Sequence, residues 1–242
     1  MSDKQTLRVA RWEALQTAGA ARFPGTKGRI PNFVGAEKAA AQLAATELFQ
    51  RARTIKCNPD SPQRPVRHAA LKAGKTVIMA VPKLAERECF WRLDPATLDD
   101  LWKASSIKGA AAVAEPIRED AVGTIDLIVT GCVAVAEDGS RLGKGGGYSD
   151  LEYAVLRELA LVDADTPIVT TVHSSQVLAP GTIPMDAHDI SLDLYCTEVG
   201  LTRCERVFAR PEGVDRSILE DDKLGEIPAL VERFAAVGPP DR

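Results

Sequence analysis

The stretch Asp138-Gly-Ser-Arg-Leu-Gly-Lys-Gly-Gly-Gly-Tyr-Ser-Asp150 holds the densest chemistry in the chain. Four of the five residues from 143 to 147 are glycine, with Lys144 between them. Glycine lets backbone N–H groups come close to an anion, and a helix starting directly behind such a loop adds a favourable dipole. Arg141 and Lys144 supply counter-charge, so the combination reads as a phosphate cradle. It is neither of the common phosphate motifs. A dinucleotide fingerprint would need glycine where Tyr148 stands, and a Walker loop needs Ser or Thr where Gly145 stands. Asp150 would repel a phosphate unless a Mg²⁺ ion lay between them, which makes it a candidate for the metal side. The same residues also fit a flexible turn ahead of a capped helix, because Ser149-x-x-Glu152 is a capping-box pattern.

Other chemistry-bearing residues are scattered. Lys4 and Arg8 lie four apart on a helical pattern and project from one face. His173 follows an apolar run, at the end of a strand where open α/β sheets place ligands; a hydrogen-bonded strand-end histidine is the alternative. His188 with Asp186 and Asp189 reads as a turn rather than a metal site. His68, on a helix with Arg64 and Arg67, reads as surface. Cys132 and the pair Ser174-Ser175 have no base nearby in sequence, which leaves nucleophilic catalysis unsupported. Phe33, Trp91 and Trp102 read as packing.

The elements that must position these residues follow from periodicity. Continuous apolar runs at 76–81, 125–129 and 167–172 predict strands buried on both faces. Shorter strands are expected at 53–57, 191–197 and 206–208, the run at 125–129 extending toward 135. Helices are expected at 4–18, 36–51, 66–73, 95–104 with Asp94 as cap, and 148–162. A loop of 17 residues, 19–35, follows the first helix; loops of that length are often functional. Strands alternating with helices predict a mainly parallel α/β sheet covered on both faces.

Composition narrows the classes. The chain has 242 residues, 45% hydrophobic and 26% charged, with a net charge of -4; mean hydropathy is -0.09. No apolar stretch is long enough for a membrane span, and the acidic balance argues against a nucleic-acid binder. Five cysteines without a Cys-x-x-Cys pair predict free thiols, and residues 1–10 lack a signal-peptide core, so a cytoplasmic protein is expected.

The glycine loop carries a resemblance. Arg141-Leu-Gly-Lys-Gly-Gly-Gly-Tyr-Ser-Asp150 resembles the loop of the 5-formyltetrahydrofolate cyclo-ligases, also called methenyltetrahydrofolate synthetases. Asp126-Leu-Ile-Val-Thr-Gly131, His188-Asp189-x-x-x-Asp193 and Lys4-x-x-x-Arg8 are similar to further segments of that family. The likeness is closest to its methenyltetrahydrofolate synthetase domain-containing branch, through Arg29-Ile-Pro-Asn-Phe33 and Val172-His-Ser-Ser-Gln-Val177. Some members of that branch carry an RNA-recognition domain, for which the residues after Arg210 are too few.

The resemblance implies a three-layer αβα domain, expected over 1–210, similar to the ribose-5-phosphate isomerase and CoA-transferase group; after Arg210 the periodic pattern weakens, which predicts an extension at 211–242 with a loose tail at 237–242. The resemblance also implies ATP and Mg²⁺ as cofactors and a folate or related small molecule as substrate, while the acidic balance and the lack of a long apolar stretch lead us to expect neither nucleic acid nor membrane as partner. Lys4, Arg8, Arg141 and Lys144 would hold phosphates, Arg141 and Lys144 with catalytic roles. Gly143, Gly145 and Gly147 would line the phosphates, Tyr148 would pack on the nucleotide side, and Asp150 would serve Mg²⁺. Four departures stand out. Gly146 replaces a family lysine, Ser149 replaces a second tyrosine, a family Trp has no counterpart near 111–115, and a folate-facing Glu is missing near 62–67. These departures leave open a non-catalytic nucleotide-binding or regulatory protein on the same fold.

Overall fold

The computed structural model describes residues 3–218 and 225–237. Five strands run parallel through the centre of an eight-stranded sheet: β1 (Thr54–Cys57), β2 (Thr76–Ala80), β5 (Leu127–Thr130), β8 (Ile168–Thr171) and β10 (Leu194–Cys196). Antiparallel β3 (Phe90–Leu93) and β4 (Glu115–Ile117) extend the sheet beyond β2, and antiparallel β11 (Leu201–Arg203) closes the far edge, giving the order β11-β10-β8-β5-β1-β2-β3-β4. A small second sheet holds β6 (Ala134–Ala136), β7 (Arg141–Leu142) and β9 (Val177–Leu178).

Side chains alternate across the central strands and so build two cores. Ile55 and Cys57 of β1, Val77 and Met79 of β2, and Val129 of β5 face one way. There they meet α2 (Ala36–Ala44), α3 (Glu47–Arg51) and α4 (Arg64–Lys72) through Leu43, Phe49 and Leu71, together with Leu15 of α1 (Asp3–Thr17). Ile78, Ile128 and Ile168 face the other way, against Leu151, Val155 and Leu156 of α7 (Tyr148–Glu158). The result is the expected α/β architecture, a mostly parallel sheet between two helical layers.

The sheet order reverses beside β1: β2 lies on one side of it and β5 on the other. In open α/β sheets a crevice opens at the carboxyl ends of the strands at such a point. The residues following β1, β2 and β5 therefore meet where the glycine loop arrives.

The structure departs from the periodicity reading in several places. The helix expected over 36–51 is two helices, because Thr46 breaks it: its Oγ1 accepts from Phe49 N and donates to Leu43 O. In 95–104, Asp94 accepts from Ala96 N at a short 3₁₀ turn, and Asp100 caps a separate short helix, α5 (Leu101–Ala104), which α6 (Ile107–Val113) follows. The run toward 135 leaves the main sheet after Thr130 and re-forms as β6. Residues 206–208 form no strand; the edge strand is β11, whose mostly exposed side chains hide it from a hydrophobic pattern. Beyond 210, a helix at Pro228–Val237 sends Ala229 and Leu230 into the α7 core beside Ile227. Of the tail expected at 237–242, residues 238–242 lie outside the described residues.

Candidate functional site

The glycine loop is set by backbone geometry. Gly145 and Gly147 adopt φ of +107° and +66°, a region that other residues enter only with strain. Gly147 stands at the N-cap of α7. The capping box read at Ser149-x-x-Glu152 does not form, since both residues lie within the helix and face the sheet. Ser149 Oγ accepts from Asn58 Nδ2 at 2.6 Å. Glu152 takes the ammonium of Lys56 in a buried ion pair, and Lys56 also donates to Asn58 Oδ1 at 2.8 Å. Lys56 is the middle side chain of β1 that points toward α7, and it is the charged residue on an apolar strand that could have signalled this network.

Two cavities of about 220 Å³ each lie against the loop. The first is bounded by Asn58, Pro59 and Asp60 after β1, Val81 to Lys83 after β2, Gly131 after β5, Ile30, and Lys144, Tyr148, Ser149 and Glu152. The second holds Lys4 and Arg8 of α1 with Gly145, Asp186, His188 and Asp189. Arg141, Gly143, Gly147 and Asp150 line both.

The four cations expected at a phosphate site do gather around the loop, but three of them are already matched by carboxylates. Lys4 Nζ lies 2.7 Å from Asp186 and 2.5 Å from Asp189; burial would lower its pKa, but these two neighbours raise it overall. Arg141, buried, lies 2.5 Å from Asp150, and Lys144 lies 3.3 Å from Asp60. Arg8 differs: among the described residues its guanidinium has no carboxylate within ion-pair distance. Its Nε donates to Gly143 O at 2.8 Å, and its Cζ lies 3.4 Å from where a side chain on Gly145 would begin. Burial, with a smaller contribution from the charge of Arg141, lowers the Arg8 pKa, against the opposing effect of Asp189.

These features fit a phosphate chain and a divalent cation. Arg141 Nε is buried without a hydrogen-bond partner among the described residues, beside both cavities. Asp150 Oδ1 accepts from Arg141 and from Ile190 N at 3.0 Å, and Oδ2 accepts no hydrogen bond among the described residues. Asp186, His188 and Asp189 bring ligand atoms within 4.8 Å of one another. The Lys4 ammonium already sits on both carboxylates, and the Asp189 side chain accepts from Asp186 N, which makes this the turn read from sequence.

Arg67, which the sequence reading names only as a neighbour of His68, is 1% exposed. Its guanidinium donates to the carbonyls of Asn58, Pro59, Asp60 and Ser105, and so clamps the turn that walls the first cavity. Lys83, which also lines that cavity, is strained at φ +62°, as is the next residue, Leu84, at φ +54°. His173 lines neither cavity; it accepts from Ser175 N at 3.1 Å and caps a short turn, with Glu198 at 3.5 Å. Among the described residues, no helix is long and apolar enough to cross a membrane, and all five cysteines are free thiols.

The profile of the 5-formyltetrahydrofolate cyclo-ligase family matches residues 1–198. The methenyltetrahydrofolate synthase domain-containing protein of Mus musculus is 39% identical over 233 residues, covering 94% of this chain and 62% of that one. Its Bos taurus counterpart is 38% identical over 233 residues, covering 94% and 60%. The chain thus spans about 60% of the length of the curated relatives it matches. The solution structure of Aquifex aeolicus 5,10-methenyltetrahydrofolate synthetase shares the fold, with a TM-score of 0.53 over 90% of this chain and 97% of that one at 23% identity.

Proposed function

Because the chain belongs to the 5-formyltetrahydrofolate cyclo-ligase family, we propose that it binds ATP with Mg²⁺ at the glycine loop and acts on 5-formyltetrahydrofolate or a related small molecule. The observation that carries this reading is Arg8, a guanidinium without a carboxylate partner among the described residues, braced by Gly143 O against the loop that opens α7. An anion there would meet one uncompensated charge, the backbone of Gly143 to Gly147 and a helix N-terminus together.

ATP would supply a phosphoryl group to the formyl oxygen, which turns that oxygen into a leaving group when the neighbouring folate nitrogen closes the ring. The chain's own work is positioning and charge. Gly145 and Gly147 hold the backbone open for phosphate oxygens. Arg141, fixed by Asp150, presents a rigid charge to both cavities, and Lys144 reaches over the first. Asp150 Oδ2 is the atom that would hold Mg²⁺. Tyr148 and Ile30 give the first cavity apolar walls that suit a flat ring.

The test is ATP-dependent conversion of 5-formyltetrahydrofolate, followed by the rise of methenyl absorbance. Absence of turnover together with absence of an ATP-induced thermal shift would refute the reading. A second reading is favoured by a separate observation: three of the four cations are internally neutralised, and Gly146 and Ser149 lack the side chains the family resemblance leads one to expect. On that reading the protein binds nucleotide without turning over folate. It predicts a thermal shift with ATP and no product, and turnover that disappears in Lys144→Ala would overturn it.

A further inference from the structure

The floor of the first cavity is polar in a specific order. Glu152 is 4% exposed and lines the cavity. Its Oε2 is taken by Lys56, while its Oε1 makes no hydrogen bond among the described residues. Ser149 stands three residues earlier, hence on the same face of α7. Its Oγ already accepts from Asn58 Nδ2, so its own proton remains to be donated. Asn58 cannot turn its amide round, because Lys56 Nζ fixes Oδ1 at 2.8 Å. The network therefore has one polarity: at adjacent positions it offers one acceptor, Glu152 Oε1, and one donor, the Ser149 hydroxyl. Around them stand Ile30, Pro59, Val81, Pro82 and the Tyr148 ring.

We infer that this floor recognises a flat heterocycle through a cis-amide edge, a ring N–H beside a ring C=O. The N–H donates to Glu152 and the carbonyl accepts from Ser149, while the apolar walls take the ring faces. Glu152 and Ser149 are thus specificity residues. The inference rests on the reading that this cavity receives the substrate of a cyclo-ligase, since the bicyclic head of a folate carries such an edge; a pyrimidine lactam carries the same one. A pocket built to pair an N–H and a C=O rejects analogues that lack them, because its buried groups are then left unpaired.

Glu152→Gln is a sharp probe. Lys56 would draw the amide oxygen toward itself, which turns the amide NH₂ into the cavity, and the acceptor becomes a donor. Binding is measured by fluorescence titration with 2-amino-4-oxopteridine, with its N3-methyl derivative and with uracil. Wild-type protein should bind the pteridine about tenfold or more tightly than the N3-methyl derivative. Glu152→Gln should weaken the pteridine by about the same factor, and Ser149→Ala by several-fold. Equal affinity for the two pteridines in wild type, or failure to bind any lactam, would overturn the inference even if Glu152→Gln did not fold. Tighter binding of uracil than of pteridine would keep the recognition chemistry and assign it to a pyrimidine. Glu152-dependent pteridine binding without folate turnover would sink the proposed reaction and leave this inference standing. Turnover with an unchanged KM in folded Glu152→Gln would do the reverse.

Discussion

Replacing Lys56 by methionine isolates the least expected feature of the interior. The side chains of Lys56 and Glu152 are 2% and 5% exposed, so neither charge is much screened by solvent. Removing the ammonium leaves a carboxylate facing α7 and β1 without its counter-ion, and takes a donor from Asn58 Oδ1. Breaking a buried pair from one side costs about 3–5 kcal/mol. Glu152 keeps one oxygen on the cavity wall, which allows partial solvation and places the expected loss near the lower end. In a chain of this size each kcal/mol moves the melting temperature by about 2–4 °C, so Lys56→Met should melt about 6–12 °C lower for a loss near 3 kcal/mol. Adding Glu152→Met should recover most of this loss, because an apolar pair of similar volume is often neutral or stabilising relative to the ions. Urea titration followed by circular dichroism gives the free energies of wild type, Lys56→Met and the double variant. The reasoning is refuted if Lys56→Met lies within about 1 kcal/mol of wild type, or if the double variant is no more stable than Lys56→Met.

Further outcomes follow from other sites. Arg8→Met should weaken ATP binding about 10- to 100-fold by calorimetry, the worth of one charge-assisted contact, while leaving the melting temperature of the ligand-free protein nearly unchanged. Asp138 carries a depressed pKa: burial pushes it up, but hydrogen bonds from Ser140 N, Ser140 Oγ and Gly181 N outweigh that. Its contribution is therefore complete well above the ordinary value of 3.8 and fades as pH falls through and below it. Asp138→Asn should cost about 1–3 kcal/mol at pH 7 in urea denaturation, and the gap to wild type should narrow in the acid range. Burial pushes the thiols of Cys89, Cys196 and Cys204 up to about 12 and that of Cys132 to about 11. A thiol reagent at pH 8 should therefore label the native protein slowly, and all five cysteines promptly in denaturant.

The sequence disclosed the layers better than the site. Apolar runs such as 76–81 and 167–172 are buried on both faces, and burial is what periodicity records, so the parallel core was legible. The short edge strand β11 was not, because exposed side chains leave no such record. The glycine loop was legible as an anion cradle because backbone freedom is written directly in residue type. The pairing of its cations was not: Lys4 with Asp186 and Asp189, or Lys144 with Asp60, are contacts across 182, 185 and 84 residues of chain that no local spacing encodes. Ser149 and Glu152 show how a local rule loses. Their spacing suits a helix cap, but Gly147, at φ +66°, already starts the helix, which frees both side chains for Asn58 and Lys56. The role of Arg67 is hidden for a related reason, since a helix face that carries charge can turn inward when backbone carbonyls of a neighbouring turn await it.

Arg141, Gly143, Gly147 and Asp150 wall both cavities at once. A septum held in common makes the two chambers parts of a single thermodynamic cycle. Whatever free energy an occupant of one chamber gives to, or takes from, the binding of a second ligand next door must be returned in equal measure when the order of filling is reversed. Measuring either ligand's affinity with the other present therefore reports on the septum itself, and a substitution at Gly145 or Gly147 should alter that shared quantity from both sides by the same factor.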